Sequence, residues 1–83
     1  MPTTGTESPM VEVDARGLAC PLPVIELARA IDGTSPGGRV RLLATDVAAK
    51  VDVPVWCRMQ RHQLVSLDEV DAHWVFVVER RTG

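Results

Sequence analysis

Apolar and polar residues alternate from Met10 to Asp14, M-V-E-V-D, and a period of two over so short a run predicts a strand with one buried face. The period changes at Val24: Val24, Leu27, Ala28 and Ile31 recur at i, i+3, i+4 and i+7 while Glu26, Arg29 and Asp32 point elsewhere, which predicts an amphipathic helix ending at Gly33. Thr34 to Gly38, T-S-P-G-G, is turn material, and Arg39 to Thr45 returns to alternation with Val40, Leu42 and Ala44 on one face. Asp46 is placed to cap a short helical segment through Lys50. Pro54 is placed to open a further helix at its first position, where a missing N–H costs little, with Val55, Met59 and His62 on one side. Gln63 to Leu67 and His73 to Val78 are β-prone runs around a loop at Asp68 to Ala72, an antiparallel hairpin.

The order is therefore β-α-β-α-β-β, which predicts an α/β chain of the α+β two-layer kind, a mixed four-stranded sheet with two helices on one face. At 83 residues there is material for one core. We expect a flexible N-terminus at residues 1–9, where no apolar period is present, and one domain over residues 10–83. Trp74, Phe76 and Val78 alternate with Val75 and Val77, so the last strand is apolar on both faces. Helices cover one face only, and the face bearing Trp74, Phe76 and Val78 is expected to be the outer one. A terminal segment, a partner or a second copy would cover it, giving a homodimer through the open sheet face.

Composition narrows the function. A formal net charge of −2 lacks the footprint of a protein that binds nucleic acid through its phosphates, so no direct nucleic-acid partner is expected. No apolar run approaches the length of a membrane span and no secretory signal opens the chain, which points to a cytoplasmic protein without a membrane partner. In that compartment Cys20 and Cys57 are not expected to form a structural disulfide. The two histidines, His62 and His73, are not at zinc-finger spacing and there is no C-x-x-C, so no metal site is expected.

The segment most suggestive of chemistry is Asp14-Ala-Arg-Gly17-Leu-Ala-Cys20-Pro21-Leu-Pro23. It sets a cysteine at the start of the first helix. Free N–H groups and the positive end of the helix dipole there favour a thiolate over a thiol, and Cys20 is expected to ionise below its ordinary range. Pro21 suits the first helical position and Pro23 sacrifices no hydrogen bond in the first turn, while Gly17 can take a positive φ. Equally, the residues alone allow Cys20 to be a small buried hydrophobe at an ordinary helix start.

The segment resembles the C-P-x-P motif of TusA and SirA-type sulfur carriers, with Asp14, Gly17, Cys20, Pro21 and Pro23 in register. Asp46, Asp52-Val-Pro54, Trp56-Cys57 and His62-Gln-Leu-Val65 follow that family's second-helix region, so the resemblance runs from about Val11 to Arg80. It implies a two-layer β-α-β-α-β-β fold in which Cys20 accepts sulfane sulfur as a covalent persulfide, with no other cofactor. The sulfur would come from a cysteine desulfurase or rhodanese-like donor and pass to an acceptor protein in tRNA thiolation, molybdenum cofactor assembly or sulfur metabolism. The resemblance implies a component of a sulfurtransferase relay, which needs no catalytic triad, more than a stand-alone enzyme, and leaves open whether the chain is an enzyme.

Cys57 stands where relatives often carry cysteine and could resolve an oxidised Cys20, although V-W-C-R-M reads more simply as helix packing. Asp14 either shapes the backbone around Cys20 or caps a turn, and the structural role is favoured. Arg16, Arg58 and Arg61 could gather near the helix start as a basic patch. His62 is expected as a charge partner at a helix C-terminus, and Trp56 and Trp74 as packing residues. Two other functions compete: a thiol redox protein pairing Cys20 with Cys57, and a non-catalytic interaction module indifferent to Cys20.

Overall fold

The computed structural model describes residues 10–82; the flexible terminus expected at residues 1–9 lies outside the described residues. Six elements follow in chain order: β1 Val11–Ala15, α1 Leu22–Asp32, β2 Arg39–Ala44, α2 Ala49–Gln60, β3 Gln63–Val70 and β4 His73–Glu79. The strands form one sheet in the order β1-β2-β4-β3, with β1 parallel to β2 and the remaining pairs antiparallel. This is the expected α+β fold, a mixed four-stranded sheet.

Alternation decides which face of the sheet is covered. Val40, Leu42 and Ala44 of β2 lie at 0% exposure, opposite Val78, Phe76 and Trp74 of β4, and Phe76 and Val78 are equally buried. Onto this face pack Leu27 and Ile31 of α1 and Ala49, Val53 and Cys57 of α2. Each fully buried Leu, Ile or Phe contributes about 1.5–3 kcal/mol, so this layer carries most of the apolar stabilisation.

The expected outer face is thereby corrected. Phe76 and Val78 are core, and Trp74 packs against the same cluster. The opposite face of β4 carries Val75 and Val77, set beside Leu43 and Arg41 of β2. Leu43 and Val75 are already 8% and 6% exposed, and ion pairs Arg41–Glu12 and Arg39–Glu79 flank them. The aromatic side chains that called for a cover are inside, so the argument for a second copy on the open sheet face loses its premise.

Two boundaries also differ. The segments expected at Asp46–Lys50 and from Pro54 are one helix, α2, with Pro54 inside it. Val53 and Cys57 bury on the same side as Ala49, one and two turns on, and that shared face holds the helix together across the proline. The carbonyl of Lys50, which Pro54 leaves without its helical donor, belongs to an exposed residue. Val55 and Met59 point outward, at 45% and 72% exposure. In the hairpin the expected loop from Asp68 shrinks to Asp71 and Ala72, whose φ values of 48° and 66° make a two-residue turn matched to the strand twist. Asp68 and Glu69 extend β3 opposite Val75 and Trp74 because an edge strand tolerates charge.

Candidate functional site

Parallel neighbours release their following loops at the same edge of a sheet. After β1 the chain runs through Arg16–Pro21, and after β2 through Thr45–Ala48, so two segments far apart in sequence meet beyond Ala15 and Ala44, which are paired in register. Gly17, at φ +82°, donates its N–H to Thr45 Oγ1 at 2.8 Å. Cys20 donates its N–H to Asp46 Oδ2 at 2.9 Å, and Asp46 Oδ1 accepts from the Ala48 N–H at the same distance. One carboxylate thus ties the cysteine backbone to the entrance of α2. Within the loop, the N–H of Leu18 bonds Ala15 O and that of Leu22 bonds Ala19 O.

Pro21 is the N-cap of α1 and makes no side-chain capping bond, Leu22 is its first residue, and Pro23, fully buried, is the second. The Cys20–Pro21 peptide is cis. Cys20 therefore stands one residue before the cap, a step further from the helix terminus than the sequence suggests. Its side chain is half-buried and packs partly against the core.

The electrostatics overturn the expectation of a low thiol pKa. Burial pushes the Cys20 thiol up, followed by hydrogen bonding to Asp52 and the negative charges of Asp52 and Asp46, to about 11. Asp52 is the fourth residue of α2, on the side one turn before Trp56, which lines a cavity with Ala28 and Ile31 of α1. That spacing turns Asp52 toward the beginning of α1 and Cys20. Burial disfavours the charged thiolate first, and the nearby carboxylates, which disfavour a second negative charge, add to it.

The other expected residues are distributed as follows. Asp14 does not touch the Cys20 backbone: Oδ1 accepts from the Arg16 N–H at 3.1 Å and from Nε at 2.9 Å, and Oδ2 from Nη2 at 2.8 Å. These bonds with Arg16 hold the Asp14 carboxyl down at about 2 and fix the first bend of the loop. Cys57 is 2% exposed within the core, and burial alone raises its thiol to about 11. Arg58 and Arg61 lie at the far end of α2 from Asp52, six and nine residues on, about 9 and 14 Å along the axis, so they form no patch beside Cys20.

His62 is corrected too. Its Nδ1 accepts from the Arg81 N–H at 3.0 Å, and burial followed by the charges of Arg81 and Arg80 lowers its pKa, so it is a neutral acceptor and not a cation at the helix end. At that end of α2 the Gln60 carbonyl accepts instead from Arg81 Nη1, while Arg80 Nη1 caps the C-terminus of α1 through the carbonyls of Ile31, Asp32 and Thr34. A groove of about 570 Å³ between Arg61, Gln63, Glu79, Arg80, Arg81 and Thr82 belongs to this end. It sits where β2 begins, since Arg39 pairs with Glu79, about 17 Å from the end at which Cys20 lies.

Sequence reasoning gave no site role to Thr45, Asp46 or Asp52. Their signal was topological. Once β1 and β2 are known to be parallel neighbours, the first residues after β2 must sit against the loop after β1, where sites in parallel sheets gather.

Comparison with known proteins agrees with this architecture. The family model described as sulfurtransferase TusA matches residues 11–80. The sulfur carrier protein TusA of Pseudomonas fluorescens is 33% identical over 82 residues, covering 99% of this chain and 92% of that protein. Its namesake in Pseudomonas paraeruginosa is 32% identical over 69 residues, covering 83% and 87%. Among solved structures, the crystal structure of a SirA-like protein from Desulfitobacterium hafniense superposes with a TM-score of 0.72 at 25% identity, covering 84% of this chain and 95% of that one.

Proposed function

The chain belongs to the sulfurtransferase TusA family and is a sulfur carrier, and from that premise we propose that Cys20 is the residue that holds the sulfur, as a persulfide. The observation that carries this reading is the contrast between its thiols. Cys20 is partly exposed on a loop pinned through Thr45 and Asp46, whereas Cys57 is 2% exposed within the core.

A sulfur carrier works between a donor and an acceptor protein. Cys20 attacks the outer sulfur of a donor persulfide, forming a new S–S bond at Sγ while the donor S–S bond breaks. The donor thiolate leaves and takes up the proton that Cys20 has lost. The same exchange, run with the loaded Cys20 as donor, delivers the outer sulfur onward, with no net oxidation. A cysteine desulfurase or a rhodanese-like protein supplies sulfur in the required oxidation state. Asp14, Gly17, Pro21 and Pro23 shape the loop: Asp14 through Arg16, Gly17 through its positive φ, and the two prolines through the fixed start of α1.

Incubation with a cysteine desulfurase and cysteine, followed by peptide mass mapping, tests the assignment. One dithiothreitol-labile sulfur atom is expected on Cys20 and none in Cys20→Ser, because a hydroxyl cannot form a persulfide. Labile sulfur recovered on Cys57, or retained by Cys20→Ser, would move the site elsewhere. Oxidation that joins Cys20 to Cys57 in a protein that never accepts sulfur would favour the redox alternative.

A further inference from the structure

We propose that the Cys20 site is completed by its donor: a cationic side chain of the sulfur-donor protein docks between Asp46 and Asp52 and thereby turns the Cys20 thiol into a nucleophile. The inference rests on Cys20 as the sulfur-bearing residue and adds the chemistry of the partner that engages it.

Three observations meet at this place. The first is a pair of half-buried carboxylates beside one thiol. Asp46 is fixed by its bonds to the Cys20 and Ala48 amides, and Asp52 is fixed within the first turn of α2, where its own N–H bonds Ala48 O at 2.9 Å. The second is that the neighbouring cations are committed elsewhere. Arg16 is bound at 2.8 Å to Asp14, and Lys50 Nζ lies 4.4 Å from the centre of the Trp74 ring. Among the described residues neither Asp46 nor Asp52 has an ion-pair partner. The third is the collar. Leu22 and Ile25 on α1 are 45% and 41% exposed, and Val47 and Val51, next in sequence to Asp46 and Asp52, are 68% and 65% exposed.

Exposed aliphatic groups around a charged centre are the makings of a protein interface, apolar contacts excluding water from a central charge pair. The sign of that centre sets the partner. Two carboxylates with no cation of their own call for a lysine or arginine, and an anionic partner surface would be repelled. In the unbound carrier, burial and the same carboxylates keep the thiol protonated at neutral pH, with its ionisation near 11. A cation seated on Asp46 and Asp52 offsets the carboxylates' share of what opposes a thiolate and brings a positive charge beside the buried sulfur, so the nucleophile forms more readily where a donor persulfide is at hand. A free thiol in solution stays inert toward stray oxidants and electrophiles.

The test separates charge from folding by using small disulfides on the intact protein. Wild-type protein and Asp52→Asn are each reacted with cystamine, a dication, and with 2-hydroxyethyl disulfide, which is neutral, and the rate of mixed-disulfide formation on Cys20 is followed by mass. The cystamine-to-neutral ratio is expected to be several-fold higher in the wild type than in Asp52→Asn, and to fall in the wild type as salt is added. Equal ratios, unaffected by salt, would overturn the inference, and the wild-type salt series decides the matter even if Asp52→Asn folds poorly. With a cysteine desulfurase, Asp52→Asn should load more slowly, through a higher KM for the carrier, although its free thiol alkylates faster with iodoacetamide. Those opposite directions are not what general loosening of the loop produces. A wild-type protein that takes no sulfur on Cys20 would sink the assignment of Cys20 itself. Normal loading of the wild type, with Asp52→Asn unchanged or faster in both assays, would sink only the docking inference.

Discussion

Cys20 and Asp46, 26 residues apart in sequence, are joined by a 2.9 Å hydrogen bond from the Cys20 N–H to Asp46 Oδ2. The other oxygen of the same carboxylate holds the Ala48 N–H, so a single side chain sets both the height of the cysteine loop and the entry of α2. Asp46→Ala should lower the urea midpoint and slow sulfur loading several-fold, because both amides lose their acceptor and Cys20 is no longer pinned. Asp46→Asn, which keeps one carbonyl oxygen, should fall between the two. Loading by Asp46→Ala at the wild-type rate would show that the clasp does not position Cys20.

Stability in acid follows from the carboxylates held below their ordinary range. Asp14 is depressed from 3.8 to about 2, chiefly by its bonds with Arg16, and Asp46 is lowered by its bonds to the Cys20 and Ala48 amides. A depressed folded-state pKa contributes stability that is present above the unfolded value and lost as pH falls through the folded one. The urea midpoint should therefore drop between about pH 4 and pH 2, and the drop should be shallower in Asp14→Asn. Urea titrations at intervals across that window read this directly.

At the alkaline end the sign reverses. Both thiols ionise near 11 in the folded protein, Cys20 through burial and then its carboxylate neighbours and Cys57 through burial, against 9.0 for an unperturbed thiol. The unfolded chain gives up these protons first, so stability should decline as pH rises from about 9 to about 11. Iodoacetamide at pH 8 should modify Cys20 about two orders of magnitude more slowly than free cysteine, since the thiolate fraction falls by that much. Cys57 should react only on unfolding. A Cys20 rate equal to that of free cysteine would mean that neither burial nor the carboxylates raise the thiol.

The fold was legible because its signals were local: period two at Val40, Leu42 and Ala44, the helical spacing of Leu27 and Ile31, and the turn residues Thr34 to Gly38. Local signals failed where two elements compete for one surface. The last strand is apolar on both sides, and only its pairing with β2 decides that Phe76 faces the helices while Val75 lies on the outer face beside Leu43. Pro54 reads as a helix start, yet the buried line Ala49, Val53 and Cys57 carries α2 straight through it. At the site, Cys20 announces itself by its motif, but its burial and the carboxylates Asp46 and Asp52, which together raise its thiol, come only from the tertiary fold and the parallel pairing of β1 and β2. A helix-start argument made from the chain alone could not see them and gave the wrong direction for the thiol.

Gly17 shows what the loop demands of its backbone. Its φ of +82° is a conformation that side chains rarely adopt, although a Cβ built there meets no atom within 4 Å. Gly17→Ala should accordingly cost about 1–2 kcal/mol through conformation alone. If the loop relieves that strain by moving, the bond from the Gly17 N–H to Thr45 Oγ1 is lost and Cys20 shifts with it. Denaturation and loading assays on the same variant distinguish the two: stability lost with loading kept means that the strain is borne in place.

Cys57 offers the sharpest separation between packing and chemistry. It lies 2% exposed among core side chains on the same face of α2 as Ala49 and Val53, and no polar group is needed there. Cys57→Ala leaves a small void, and Cys57→Ser places a hydroxyl in apolar surroundings, where the helix carbonyl one turn back can accept its proton; each should cost about 1–2 kcal/mol. Neither change reaches Cys20, which is tied to Asp46 and not to Cys57, so both variants should take up one sulfur at the wild-type rate under conditions where they remain folded. A resolving role predicts the opposite division: stability nearly unchanged, loading or its reversal altered, and a Cys20–Cys57 disulfide on oxidation of the wild type. That disulfide would require Cys57 to leave the core, so its formation should track unfolding and speed up in urea. Rapid formation in native buffer, together with altered loading in Cys57→Ala, would establish Cys57 as part of the sulfur chemistry and displace the packing account.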